Sequence, residues 1–152
     1  MRPVSAEARP ERFGDYVVER LLGVGGMAEV FLARSFGVAG FEKRLVIKRL
    51  RSELAEDPRF VSMFIAEAKL GVHLNHPNVV RVLNFFRANE TVYMVMRYER
   101  GRTLQQQIQM RQDQMSERLV RHGFSELLNG LREVHTHKLL HLDIKPANIY
   151  LR

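Results

Sequence analysis

Residues 23–30 read GVGGMAEV, and the element that comes after the glycines decides the fold. Gly23, Gly25 and Gly26 allow a sharp turn and let backbone N–H groups come close to a bound anion. A helix after them would make the stretch a dinucleotide-binding fingerprint inside a βαβ unit. The next residues are instead EVFLAR (29–34), strand-like, and those before the turn are YVVERLL (16–22), also strand-like. A strand, a glycine turn and a strand make a hairpin, so the parallel-sheet reading is set aside. Taken alone, the motif is equally an ordinary hairpin turn that binds nothing.

On the C-terminal side, SFGVAGFE (35–42) reads as a loop and KRLVIKRL (43–50) as a third strand. A period of two puts Val46, Lys48 and Leu50 on one face and Leu45, Ile47 and Arg49 on the other, so a lysine sits between two apolar residues. After Pro58 the spacing of Phe60, Phe64, Glu67, Gly71 and Leu74, with Met63 beside them, predicts a helix whose apolar stripe contains Glu67. A carboxylate and an ammonium that each face a core are costly unless they pair, which points to Lys48 with Glu67. The alternative is that Lys48 snorkels outward and Glu67 lies at the edge of its stripe.

VVRVLNFF (79–86) and TVYMVMRY (91–98) flank the polar turn RANE and predict a second hairpin. ERGR breaks the pattern, and TLQQQIQM (103–110) is a short helix candidate. Ser116 is a plausible N-cap for a longer helix carrying Val120, Phe124, Leu127, Leu128, Leu131 and Val134. From His141 the chain reads as loop and then the start of a strand. Residues 1–12, with two prolines and little apolar material, read as a flexible leader.

Composition bounds the function classes. The 152 residues are 45% hydrophobic, enough for one compact domain or a small lobe with part of another. No apolar run is long enough for a membrane span, and no secretory leader opens the chain, so a cytoplasmic location is expected. With no cysteine, thiolate zinc sites and thiol nucleophiles are excluded. The formal charge of +7 is scattered among acids and polar residues, which suits a solvated basic surface; no nucleic-acid partner is expected. His135, His137 and His141 lack a clear acidic fourth ligand for zinc. Met94 and Met96 read as core filler.

The remaining motif is HLDIKPAN (141–148), which gathers within six residues a carboxylate for a hydroxyl proton (Asp143), a cation for phosphate (Lys145) and an oxygen for a metal (Asn148). In order along the chain stand GVGGMAEV, LVIKRL, the EA at 67, HPNVV at 76, YMVMRYERGRTL and HLDIKPANI. Together they resemble the Ser/Thr protein kinases of bacteria that share the eukaryotic kinase fold, over about residues 13–152. The resemblance implies an α+β fold: an antiparallel five-stranded N-lobe with its helix, then the first helices and catalytic loop of an incomplete helical C-lobe. The corresponding boundaries are 13–100 for the N-lobe and 101–152 for the partial C-lobe.

Its implied site is specific. Leu22, Gly23, Val24, Gly25, Gly26, Met27, Ala28, Glu29 and Val30 would form the nucleotide-covering loop, with Leu22, Val30 and Val46 enclosing adenine. Met96 would be the gatekeeper, and the backbone of Arg97 and Glu99 would bond the adenine edge. Lys48 would bind the α and β phosphates of ATP and Glu67 would hold Lys48. Asp143 would accept the proton of a Ser or Thr hydroxyl on a protein substrate, Lys145 would neutralise the γ phosphate and Asn148 would bind Mg²⁺.

Departures from the family pattern are Ala28 for a third glycine, Arg97 for a common acid, and Leu142 for the catalytic-loop arginine that pairs with a phosphorylated activation segment. No Asp-Phe-Gly segment is present. The 152 residues are therefore expected to behave as a fragment with little or no activity, poorly soluble or partner-dependent because the apolar face of the 120–134 helix is left uncovered. The alternative is a nucleotide-binding pseudokinase or truncated interaction module.

Overall fold

The computed structural model describes residues 11–110, 115–141 and 144–152. Alternation of apolar and polar residues builds β2 (Tyr16–Val24), β3 (Ala28–Phe36), β4 (Glu42–Leu50), β5 (Val82–Ala88) and β6 (Thr91–Arg97), and β1 (Arg12–Phe13) adds a two-residue strand before them. They form one sheet in the order β1-β2-β3-β4-β6-β5. The five expected strands are thus all present, and ordered structure reaches back into the expected leader at Arg12. Several boundaries differ from the sequence reading. Ser35, Phe36 and Glu42, assigned to a loop, extend β3 and β4, because Ser35 pairs with Lys43 and Phe36 with Glu42. Val79 to Arg81, assigned to a strand, precede β5, and the Val79 amide instead closes a turn on the His76 carbonyl.

The described chain divides into two compact units: residues up to Lys69 with Leu83–Tyr98, and Leu70–Val82 with Glu99–Arg152. In the first, one face of the sheet carries Phe13, Phe31, Ala33, Leu45, Ile47, Tyr93 and Val95 as a contiguous core. Phe13 packs edge-on against Phe31, and Phe86 stacks on Tyr93 with centroids 4.9 Å apart, an arrangement that adds to simple burial. The second hairpin turns through Asn89 and Glu90, both at positive φ (49° and 62°), the geometry that matches strand twist in a two-residue connection. At its base the buried Thr91 hydroxyl donates to the Leu50 carbonyl at 2.7 Å.

Beyond β4 lies a one-turn helix, α1 (Ser52–Ala55), that the sequence reading did not mark. α2 (Pro58–His73) starts where expected. Asp57 precedes it and its carboxylate accepts from the Arg59 amide at 3.0 Å, with Pro58 in the first turn; both are start signals for a helix. Its buried residues are Phe64 and Ala68. Glu67 is therefore off the buried stripe: a step of four from Phe64 lands on Ala68, and Glu67 falls one position, about 100°, to the side.

In the second unit, Thr103 and Gln106 cap α3 (Leu104–Met110) reciprocally: each side chain accepts from the other residue's amide, at 3.1 and 2.9 Å. Ser116 caps α4 (Glu117–Thr136) by accepting from Leu119 N at 3.2 Å. β7 (Arg102–Thr103) pairs with β8 (Tyr150–Leu151). Two glycines mark close approaches. Gly130 of α4 faces the Asn78 backbone, where a Cβ would stand 3.0 Å from the Asn78 carbonyl oxygen, and the Asn78 side-chain amide donates to Glu126 at 2.8 Å. Gly71 in α2 leaves no room for a Cβ beside the Val82 side chain. Along α4, Val120, Phe124 and Leu128 are exposed while Gly130 and Val134 are buried.

Helix propensity alone favours Gly71→Ala by about 1 kcal/mol. The collision with a stiff, buried valine reverses the sign: Gly71→Ala should destabilise by about 1–3 kcal/mol in urea unfolding. Adding Val82→Ala should recover part of that loss, so the double variant should be more stable than the sum of the two single changes.

Candidate active site

The glycine hairpin is the tip of β2 and β3. Gly23 pairs with Val30 and Val24 with Glu29, and a bulge between Leu21 and Gly23 leaves Leu22 unpaired in the ladder. Gly25 N donates to the Ala28 carbonyl at 2.8 Å, and Arg51 N donates to Met27 O at 3.0 Å, tying the turn to the end of β4. None of Gly23, Gly25 or Gly26 has positive φ. Added Cβ atoms at Gly23 and Gly26 would meet nothing within 4 Å. The turn itself does not need glycine at those two positions, and both are exposed.

Register then carries the site across the sheet. Val30 stands opposite Lys48, Leu32 opposite Val46, Lys48 opposite Met94, and Val46 opposite Met96. Cross-strand partners share a face, so Gly23, Val30, Val46, Lys48 and Met96 lie on one side of the sheet, the side away from the Phe13–Tyr93 core. Arg97 ends β6 opposite Leu45.

Lys48 Nζ donates to Glu67 Oε1 at 3.1 Å. The pair expected from the sequence is made. The burial expected with it is not, since the side chains are 29% and 59% exposed. An ion pair this wet adds at most about 1 kcal/mol to stability. Its effect is geometric: it aims the ammonium from β4 while leaving its other donors free to meet an anion.

In the second unit Pro146–Asn148 forms a short 3₁₀ turn, with Asn148 N donating to Lys145 O at 2.9 Å. Ile149 O accepts from Leu104 N at 2.7 Å, which ties the turn to the start of α3. Lys145 and Asn148 are exposed. Glu99 receives Arg152 Nη1 at 3.5 Å, and Arg152 Nη2 donates to the Pro77 carbonyl at 2.6 Å. Leu142 and Asp143 lie outside the described residues. No cluster of three or more His, Cys, Asp or Glu able to hold a metal occurs among the described residues, and no helix there is long and apolar enough to cross a membrane.

One ion pair beside the glycine hairpin escaped the sequence reading. Arg49 Nε and Nη2 both donate to Glu29 Oε2, at 3.0 and 2.5 Å. Burial alone would lower the Arg49 pKa, but hydrogen bonding to and charge on Glu29, with Tyr93 adding to them, outweigh it and raise the value. Arg49 is a permanent cation. The signal was its placement on the face of Leu45 and Ile47, where an unpaired guanidinium would not be tolerated.

These motifs on this sheet define a class of protein. The chain matches the protein kinase domain family over residues 16–152 and belongs to it. It is 39% identical over 135 residues to serine/threonine-protein kinase pkn3 of Myxococcus xanthus, covering 88% of this chain and 24% of that protein. It is 34% identical over 150 residues to tyrosine-protein kinase MasK of Myxococcus xanthus (strain DK1622), covering 91% and 23%. Against serine/threonine-protein kinase PrkC of Bacillus subtilis (strain 168) it is 30% identical, covering 91% and 21%. The chain thus spans about a quarter or less of the length of these relatives. In structure it resembles the PknI kinase domain of Mycobacterium tuberculosis, with a TM-score of 0.80 and 28% identity over 96% of this chain and 57% of that one. The resemblance to bacterial kinases and the α+β kinase fold are both borne out.

Because the Lys48–Glu67 pair is wet, Glu67→Gln should leave the unfolding free energy within about 1 kcal/mol of wild type in a urea titration. A loss of several kcal/mol would show the pair to be a structural strut.

Proposed function

We propose that the chain is the ATP-binding part of a Ser/Thr protein kinase, with Lys48, held in place by Glu67, binding the α and β phosphates under the Gly23–Gly26 turn. The observation that supports this most is the conjunction of a lysine aimed by a carboxylate with glycines whose turn does not require them. Glycine with open space above it serves the close approach of something bound. A plain hairpin turn accounts for neither feature.

In this reading Val30, Val46, Leu22 and the gatekeeper Met96 enclose adenine, and the backbone of Arg97 and Glu99 bonds its edge, so a basic side chain at 97 does no harm. Asp143 accepts the proton from the attacking hydroxyl of a protein substrate, and Lys145 neutralises charge on the γ phosphoryl. Asn148 offers an amide oxygen, a fitting single ligand for Mg²⁺, which takes most of its other ligands from phosphates and water. Bound there, the ion would offset negative charge on the phosphates. A cytoplasmic setting follows from the need for ATP. For the 152 residues alone the second reading is nucleotide binding without transfer, because transfer in the family also uses an Asp-Phe-Gly aspartate, absent from this sequence.

Fluorescence titration with N-methylanthraniloyl-ATP (mant-ATP) should show saturable binding displaced by ATP, and Lys48→Met should weaken it by about tenfold or more. Gly26→Ala separates a ligand role from a turn role. It meets no steric obstacle and should leave the melting temperature unchanged or slightly raised, while ATP affinity falls. Wild-type affinity in both Gly26→Ala and Lys48→Met would overturn the reading. Radiolabelled phosphate transfer by the protein that carries this chain should yield phosphoserine or phosphothreonine and vanish in Asp143→Asn, whereas phosphotyrosine alone would contradict the proposed substrate class.

A further inference from the structure

β4 presents two cations in succession, one to each face. Lys48 takes Glu67 on the nucleotide side; Arg49, its neighbour, takes Glu29 on the other. Glu29 and Arg49 are direct partners in the β3–β4 ladder, and Glu29 is also paired with Val24, the last pair before the glycine turn. Arg49 is held more firmly than an ordinary surface arginine. Its guanidinium lies over the rings of Phe13 and Phe31, 5.0 and 4.8 Å from their centroids, and Nη1 reaches Glu11 at 3.5 Å. A planar cation between two rings, bonded to a carboxylate, keeps little rotational freedom.

We infer that Arg49 is a positioning residue for the nucleotide phosphates, acting through Glu29 to fix the base of the glycine hairpin relative to Lys48. The inference rests on the ATP-binding reading above. Beyond Glu29 the turn is secured by the Ala28–Leu50 pair that ends the ladder, the Gly25 amide on Ala28 O, the Arg51 amide on Met27 O, and a longer approach of Arg51 Nη1 to Gly25 O at 3.5 Å. Releasing Glu29 leaves the tip held to β4 by these contacts alone and lets it tilt, and the turn amides then miss the phosphates while Lys48 keeps its own anchor. Two of the adenine-enclosing residues lie deeper along the strands. Val46 and Met96 sit on the β4–β6 ladder, which the Glu29 bond does not support. The effect should therefore depend on phosphate.

The test measures affinity for mant-ATP and, by competition, for adenosine in the wild-type chain, Glu29→Gln, Arg49→Met, the double variant and Arg49→Lys, with a thermal melt on each. Arg49→Met keeps an apolar stem against the two rings, and Glu29→Gln keeps the shape of the acid. The inference expects ATP affinity to fall about fivefold in each single variant with adenosine unchanged, the double variant to be no weaker than either single one, and Arg49→Lys to recover part of the loss by restoring the charge. Affinities for ATP and adenosine falling together, or unchanged ATP affinity in Glu29→Gln, would overturn it. Failure of the wild-type chain to bind mant-ATP would overturn the ATP-binding reading, and this inference with it.

Discussion

The structure depends on the alternation of side chains along β4. A period of two sends Leu45 and Ile47 into the core with Tyr93 and Val95 and leaves Lys48 on the opposite face, where Glu67 of α2 receives it at 3.1 Å. A slip of one residue in register would exchange the faces, burying the lysine against Phe13 and exposing Ile47. The nine pairs of the β3–β4 ladder, from Ala28 with Leu50 to Phe36 with Glu42, hold that register, and the apolar core makes any alternative expensive. The chemistry of the site is thus a consequence of which residues the core claims.

Two of the charged pairs on β4 illustrate different uses of electrostatics. Lys48–Glu67 is open to water and contributes direction rather than stability. Such a pair suits a group that must also meet a ligand, since a cation fully satisfied and buried would have nothing left to offer. Arg49–Glu29 is drier, with side chains 23% and 28% exposed, and its cation is further pinned by two aromatic rings. There the pair acts as a fastener, and its partner lies next to the glycine turn.

Much of this was legible in the sequence, and the residues that were not have identifiable causes. The hairpin around Gly23–Gly26 and the strand of Lys48 could be read because β-strands half buried in a core alternate strictly. Ser116 as a helix cap could be read because its side chain bonds locally. The burial of Glu67 was overestimated, since a helix wheel drawn from steps of four and three cannot tell the centre of a stripe from its edge; Ala68, small and unremarkable in sequence, holds the buried position. Thr103 and Gln106 carried a capping-box signal that went unused. The aromatic clasp on Arg49 depends on Phe13, far earlier in the chain, a long-range packing relation to which no local pattern gives access. The bond from Asn78 to Glu126 across the second unit is of the same kind.

The most direct test of the central claim is a crystal structure of the chain grown with Mg²⁺ and a non-hydrolysable ATP analogue. The expected result is the phosphates beneath the backbone amides of Gly23–Gly26, with Lys48 Nζ within hydrogen-bond distance of a phosphate oxygen while still in contact with Glu67. Nucleotide bound elsewhere on the molecule, or bound there with Lys48 turned away from the phosphates, would contradict it.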